Sequence, residues 1–231
     1  LGAAGAVGFD LNAACSGFLF AYNTAQAYIT SGIYRTILVI GSESLSRIVD
    51  WTDRGTCILF GDGAGAVLLQ AKEGKSYQPV SHSDGRGGPA LTGPGVHGRV
   101  RSIDRDQGET KTEYITMNGK DVFQFAVRKV PQVIQEVIEL NTLSLEDVDW
   151  FVLHQANARI VDAVARRLHL EIDKFPMNLQ EYGNTSSASI PILLNELNKK
   201  GILKKGQRLV LAGFGAGLSW GASVLDWDLE R

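Results

Sequence analysis

The chain reads as an α/β protein of stacked sheets and helices, built from two similar halves. Three observations predict this. Short apolar runs at residues 37–40, 151–153 and 209–211 lack strict alternation and read as central strands buried on both faces. Segments with helical spacing lie between them, so strand and helix alternate along the chain. One order of motifs also occurs twice.

In its first occurrence that order runs Cys15-Ser-Gly, an apolar helix over 18–29, Gly32-Ile-Tyr-Arg, a strand over 36–40, Gly41, and then Gly61-Asp-Gly-Ala-Gly-Ala-Val-Leu-Leu69. In its second it runs Asn184-Thr-Ser, an apolar helix, Gly201-Ile-Leu-Lys, a strand over 208–212, Gly213, and then Gly217-Leu-Ser-Trp-Gly-Ala-Ser-Val-Leu225. Glycine closes each helix. The repeat predicts pseudo-symmetric halves with Cys15 and Asn184 at equivalent places. Val122, Phe123, Ala126, Val130, Val133, Ile134, Val137 and Ile138 predict a helix over 121–140. Asn157 is placed to cap a further helix that buries Ile160, Val161, Val164 and Leu168. Residues 72–116, rich in Gly, Pro and charge, read as a long surface excursion. Residues 1–116 are expected to hold what this chain has of the first half, and 117–231 the second, within one compact unit.

With 231 residues, 44% hydrophobic and 21% charged, the composition is that of an ordinary globular protein. A formal net charge of −2 gives no footing for a polyanion such as nucleic acid. No apolar run approaches the ~18 residues a membrane span needs. No signal peptide is visible, and the start at Leu1 reads as a fragment or a processed chain. Two cysteines fit a reducing compartment.

Cys15 lies directly before an apolar helix, where the helix dipole and unpaired N–H groups favour a thiolate. His154 ends a strand in Leu153-His-Gln-Ala-Asn157, and Asn184 begins Asn184-Thr-Ser-Ser-Ala188. A nucleophile, a base or donor, and an amide donor suit acyl transfer through a thioester. The turn Gly213-Phe-Gly-Ala-Gly217 reads either as a backbone donor to an oxyanion, from Ala216, or as a plain tight turn. The run Gly61–Ala66 fits a dinucleotide fingerprint on paper, but a strand follows it, so close packing is the better reading. Cys57 reads as a buried small hydrophobe. His82, His97 and His169 read as ordinary surface or loop residues, and no cluster has metal-ligand spacing.

With Asp53-Arg-Gly-Thr, Phe60-Gly-Asp-Gly-Ala-Gly and Gly213-Phe-Gly-Ala-Gly-Leu-Ser-Trp-Gly221, these segments resemble the 3-oxoacyl-[acyl-carrier-protein] synthase III family over essentially the whole chain. The resemblance implies a thiolase-like five-layered αβαβα sandwich whose first half is incomplete here, so that residues 1–231 alone are expected to be poorly stable or inactive. It implies an initiating condensation: an acyl group passes from acyl-CoA to Cys15, then condenses with malonyl-[acyl-carrier-protein], with His154 and Asn184 donating to the enolate. The backbone N–H groups of Cys15 and Ala216 would form the oxyanion hole. Arg54 and Asn157 would bind the coenzyme A arm. Phe60, Met117, Phe123 and Phe214 would meet substrate, with core packing the competing role of the first three. Gln155, Arg159, Arg166 and Arg167 would meet the acidic carrier protein. No cofactor or metal is implied. The family implies a homodimer in the cytoplasm, or in the plastid stroma of a plant. The alternatives are another thiolase-fold enzyme, such as a polyketide ketosynthase or a hydroxymethylglutaryl-CoA synthase, or an inactive fragment.

Overall fold

The computed structural model describes residues 2–74, 76–94 and 114–230. A short 3-10 turn, Ala14–Ser16, leads into helix α1, Gly17–Thr30. Gly32 closes it at φ 75°, a conformation that favours glycine. The Ile33 N–H bonds the Tyr28 carbonyl at 3.1 Å and the Gly32 N–H bonds that of Ile29 at 3.0 Å, which satisfies the helix's last carbonyls. Strands β1 (Thr36–Glu43) and β2 (Gly63–Gln70) then pair antiparallel, with Gly41 opposite Gly65.

The excursion contributes β3 (Val80–Ser83) and the small ladder of β4 (Leu91–Thr92) with β5 (Thr116–Met117). Its middle, including His97 and residues 99–101, lies outside the described residues. Asn118 caps helix α2, Gly119–Leu140, by accepting from the Asp121 N–H at 3.2 Å. The helical period read from the sequence is the face that is buried, with Val130, Ile134 and Val137 fully enclosed. Strand β6 (Trp150–Leu153) leads to α3 (Ala158–Leu168), capped by Asn157 as its spacing predicts. The short α4 (Leu179–Tyr182), α5 (Ser189–Lys199), β7 (Arg208–Gly215) and β8 (Ser219–Asp226) complete the chain.

The main sheet has the order β3-β8-β7-β6, with β6 and β7 parallel and the other pairs antiparallel. Strand β7 is buried on both faces, and its side chains divide between two cores. Val210, Ala212 and Phe214 join the cluster under α2 and α3, with Ile134, Phe151 and Val161. Leu209 and Leu211 join a second cluster with Phe18 and Leu19 of α1, Leu193 and Leu197 of α5, and Val39 of β1. Helices α1 and α5 thus form a middle layer between the two sheets, and α2 and α3 an outer layer. Each fully buried Phe or Leu in these layers contributes about 1.5–3 kcal/mol of transfer free energy.

Two sequence expectations change here. Residues 37–40 do not form a strand buried on both faces. Val39 points inward, while Leu38 and Ile40 are 40% and 59% exposed, because α1 and α5 cover only one side of the two-stranded sheet. Strand β3, which sequence order puts with the first half, hydrogen-bonds to β8 and so extends the second half's sheet.

The internal repeat is visible in backbone detail. The end of α5 repeats that of α1: Gly201 has φ 66°, Ile202 N–H bonds the Leu197 carbonyl at 2.9 Å, and Gly201 N–H bonds that of Asn198 at 2.9 Å. The entry to α5 is also a 3-10 turn, Ser186–Ala188. Ala14 and Ser186, the first residues of the two turns, share a left-handed φ of 46° and 48°. Asn12 Oδ1 accepts from Ala14 N–H at 3.1 Å, and Asn184 Oδ1 from Ser186 N–H at 2.8 Å. The structural counterpart of Asn184 is therefore Asn12, and that of Cys15 is Ser187. The expected Cys15–Asn184 equivalence is off by one turn element, because the small polar residues around both turns look alike in sequence.

Candidate active site

Cys15 sits in the middle of the Ala14–Ser16 turn and is buried. The turn is tied to the end of the main sheet: Ser16 Oγ donates to the Ser219 carbonyl at 3.2 Å, and Ser219 Oγ lies 3.1 Å from Ser16 Oγ. Strand β7 passes so close that a Cβ on Gly215 would lie 2.6 Å from Cys15 Cβ and 3.2 Å from Sγ. Burial pushes the thiol up to about 11, opposed by a hydrogen bond from the Ser186 side chain and reinforced by the nearby Glu43 carboxylate. The thiolate expected at a helix start is thus not the resting state; desolvation outweighs the dipole.

His154 follows β6, its N–H bonding the Ala212 carbonyl at 2.8 Å. The ring is 1% exposed, with its edge against Phe214 at 5.2 Å between centroids. Nδ1 lies 2.7 Å from Ser189 Oγ. Burial pulls the imidazole down to about 4, against the Ser186 backbone, which favours the charged form. Asn184 is held by its backbone to the other half: its N–H bonds the Leu59 carbonyl at 2.8 Å and its carbonyl accepts from Gly61 N–H at 2.9 Å. That approach requires glycine, since a Cβ on Gly61 would lie 2.2 Å from the Tyr182 carbonyl oxygen. With Oδ1 engaged by Ser186, the Asn184 amide presents Nδ2 as its free donor end.

Ser186 joins the three. Its side chain lowers the Cys15 thiol against burial, its N–H donates to Asn184 Oδ1 at 2.8 Å, and its carbonyl accepts from Ser189 Oγ at 2.9 Å, the hydroxyl that lies against His154 Nδ1. Neither Ser186 nor Ser189 was singled out in the sequence, and their only signal there is the run of small hydroxyl residues after Asn184. Glu43 was also missed. Its Oε1 accepts from Ser187 Oγ at 2.6 Å and from Ser187 N–H at 3.2 Å, tying β1 to the second turn.

Other sequence-named residues fall in different places. Gln155 is 1% exposed, donates to the Leu153 carbonyl at 2.8 Å and accepts from Asn178 N–H at 3.1 Å. It is an internal brace and not part of a carrier-protein surface. Phe214 is 1% exposed and lies against His154, so it shapes the site from within the core. Arg54, Arg159, Arg166 and Arg167 are exposed. Asn157 spends Oδ1 on the α3 cap, at 2.9 Å from Arg159 N. Phe60 packs with Leu45, Val49, Ile115 and Cys57; Met117 pairs with Leu91; Phe123 lies half-buried on the main core. Ala216 occupies the β7–β8 turn beside Cys15's neighbour Gly215, its carbonyl accepting from Ser219 Oγ at 3.0 Å. His82 contacts Glu136 at 2.8 Å, and His169 terminates α3 at φ 57°. Among the described residues no group of three or more His, Cys, Asp or Glu could hold a metal ion.

Glu43→Gln removes a negative charge that raises the Cys15 thiol while keeping an oxygen for Ser187. The midpoint of Cys15 alkylation by iodoacetamide, followed by peptide mass spectrometry across pH, therefore moves down. An unchanged or higher midpoint refutes this.

Paired α/β halves, a middle helical layer, and a buried cysteine grouped with histidine and asparagine define a thiolase-like condensing acyltransferase. Comparison with known proteins narrows the class. Residues 9–85 match the family model for 3-oxoacyl-[acyl-carrier-protein (ACP)] synthase III, and residues 138–227 match its C-terminal model. A β-ketoacyl-[acyl-carrier-protein] synthase III from Clostridium acetobutylicum is 49% identical over 228 residues, 98% of this chain and 70% of that protein. The crystal structure of 3-oxoacyl-[acyl-carrier-protein] synthase III from Aquifex aeolicus superposes with a TM-score of 0.86 at 40% identity, covering 97% of this chain and 68% of that one. The priming β-ketosynthase of the R1128 polyketide pathway superposes with a TM-score of 0.90 at 34% identity, covering 98% and 67%. The chain belongs to the 3-oxoacyl-[acyl-carrier-protein] synthase III family.

Proposed function

We propose that this protein carries out the initiating condensation of dissociated fatty-acid synthesis, with an acetyl primer. The observation that carries this reading is the junction at Ser186: its N–H donates to Asn184 Oδ1 at 2.8 Å, its carbonyl accepts from Ser189 Oγ at 2.9 Å, and that hydroxyl lies 2.7 Å from His154 Nδ1.

Cys15 sulfur attacks the thioester carbonyl of acyl-CoA. The new C–S bond forms, the oxyanion is held by the backbone N–H groups of Cys15 and Ala216, and coenzyme A leaves. Malonyl-[acyl-carrier-protein] then enters and loses carbon dioxide. The electron pair of the broken C–C bond becomes an enolate, whose oxygen is held by Asn184 Nδ2 and His154. Its carbon attacks acyl-Cys15, and the cysteine leaves. Every electron pair moves within the substrates and Cys15, so this chemistry requires no redox cofactor or metal.

Arg54 and Asn157 bind the coenzyme A and pantetheine arms in this reading, and Phe60, Met117 and Phe123 border the acyl group. The carrier protein docks on Arg159, Arg166 and Arg167, exposed on α3. The reading also takes the protein as a homodimer of the cytoplasm, or of the plastid stroma in a plant. Among the described residues no helix is long and apolar enough to cross a membrane.

Intact-mass spectrometry after incubation with acetyl-CoA tests the reaction. One acetyl group on Cys15, discharged by malonyl-[acyl-carrier-protein], supports it, and failure of acetyl-CoA and longer acyl-CoAs to label Cys15 refutes it. Carrier docking is tested separately. Reversing Arg159, Arg166 and Arg167 to Glu raises KM for malonyl-[acyl-carrier-protein] by about 10-fold or more at low salt, with the difference shrinking as salt screens it. Acetylation by acetyl-CoA stays at the wild-type rate. An unchanged KM rules the patch out.

A further inference from the structure

We propose that Glu43 is a positioning residue for the decarboxylating half of the reaction: it grips the turn that follows Asn184 and so fixes where the Asn184 Nδ2 donor stands. The role in turnover rests on the condensation reading above; the hold on Asn184 does not.

The assignment comes from comparing the two halves. Strands β1 and β7 have the same length, Thr36–Glu43 and Arg208–Gly215, and each carries glycine two places before its end, Gly41 and Gly213. Both glycines let a turn come close. A Cβ on Gly41 would lie 2.6 Å from the Ser187 carbonyl oxygen, and one on Gly213 would lie 3.4 Å from Ser16 Cα. The last residues, Glu43 and Gly215, are therefore counterparts, as Ser187 and Cys15 are. Beside Cys15 the strand ends without a side chain, and a Cβ there would stand 3.2 Å from Sγ. Beside Ser187 the same place is filled by a carboxylate. One half leaves room for a reacting thiol, and the other closes that room with a side chain bonded to the turn.

Glu43 Oε1 accepts from Ser187 Oγ at 2.6 Å and from Ser187 N–H at 3.2 Å. Glu43 is half-buried, and its charge strengthens both bonds at the N-terminal side of α5. The preceding N–H, that of Ser186, donates to Asn184 Oδ1 at 2.8 Å. Consecutive N–H groups of one turn thus bind the first half's strand and the asparagine side chain. Ser186 is held at φ 48°, a costly conformation for a residue with a side chain, so the turn needs an outside grip. Without the carboxylate the turn relaxes, the Ser186 N–H shifts, and Asn184 Nδ2 leaves the place where the enolate oxygen forms. Cys15 feels Glu43 differently, as a negative charge that raises its thiol. Glu43 therefore acts on the two half-reactions in opposite directions. Its acceptor oxygen aids discharge, and its charge opposes acetylation.

The test compares Glu43→Ala, Glu43→Gln and Ser187→Ala. Intact mass follows acetylation by acetyl-CoA and discharge of acetyl-Cys15 by malonyl-[acyl-carrier-protein]. Nitrogen-15 nuclear magnetic resonance follows the side-chain amide of Asn184, whose signals are those missing from Asn184→Ala. Expected for Glu43→Ala is acetylation at the wild-type rate or faster, discharge slowed by about 10-fold, and shifted Asn184 signals. Glu43→Gln, which keeps an oxygen for Ser187, restores the discharge and the signals. Ser187→Ala, which removes the shorter bond, moves both in the same direction as Glu43→Ala. Unmoved Asn184 signals in Glu43→Ala overturn the proposal. Equal slowing of discharge in Glu43→Ala and Glu43→Gln overturns it too, because charge and not the acceptor would then be the agent. So does acetylation that slows along with discharge, which a general loosening of the fold would give. If Glu43→Ala does not fold, Ser187→Ala decides by the same readouts. Failure of the condensation reading shows differently, as a wild-type Cys15 that takes no acyl group, and the Asn184 signals then decide the hold by themselves.

Discussion

Cys15→Ala eliminates acyl transfer and condensation while leaving decarboxylation of malonyl-[acyl-carrier-protein] measurable. The two half-reactions use different groups. Transfer needs the sulfur, and without it no covalent intermediate forms, so condensation falls by at least about 10⁴-fold. Loss of carbon dioxide needs a donor at the enolate oxygen, and Asn184 keeps its Nδ2 end because Oδ1 is held by Ser186 at 2.8 Å, independent of residue 15. Asn184→Ala gives the reverse pattern: Cys15 still takes up acetyl from acetyl-CoA, but the acetyl-enzyme is discharged slowly. Intact mass reads the first half-reaction and carbon dioxide release the second. Loss of both activities in each single variant would show that Cys15 and Asn184 are not divided in this way.

The positions of Cys15, His154 and Asn184 were legible in the sequence because each residue ends or begins an element. Cys15 precedes α1, His154 follows β6, and Asn184 precedes the turn into α5. Residues at such positions meet where strand ends converge, whatever the loops between them do. The apolar period of α2 and the glycines after α1 and α5 were legible for the same local reason. What could not be read depends on contacts between distant segments. Burial of the thiol is set by β7, some two hundred positions along the chain. Glu43 looks like an ordinary polar residue after a strand until Ser187 is folded against it. Gln155 was placed on a carrier-protein surface by family resemblance alone. Here its amide bridges Leu153 and Asn178 inside the protein, a pairing with no sequence signature. The pseudo-symmetric partner of Cys15 was misplaced because motif order was compared where backbone geometry decides.

The close passage of β7 beside the nucleophile carries the second large effect. Gly215→Ala slows acetylation of Cys15 by about 10²-fold and lowers stability by about 1–3 kcal/mol. The added methyl would stand 2.6 Å from Cys15 Cβ, nearer than two carbons can approach, so one backbone must move. Strand β7 cannot move freely, because Gly215 is paired with Ser219 on β8, and Ser219 is itself bonded to Ser16. The displacement therefore falls on the turn that carries Cys15 and spoils the line of attack on the thioester. Gly213→Ala is the control: its Cβ would meet Leu19 Cβ at 3.2 Å and Ser16 Cα at 3.4 Å, distances that small shifts absorb. It should lose less stability and acetylate at close to the wild-type rate. Thermal unfolding reports the stability term, at about 2–4 °C of Tm for each kcal/mol. A time course of intact mass reports the acetylation rate. Wild-type acetylation in Gly215→Ala would mean that the turn holds Cys15 in place without help from the strand, and that the missing side chain at 215 serves only packing.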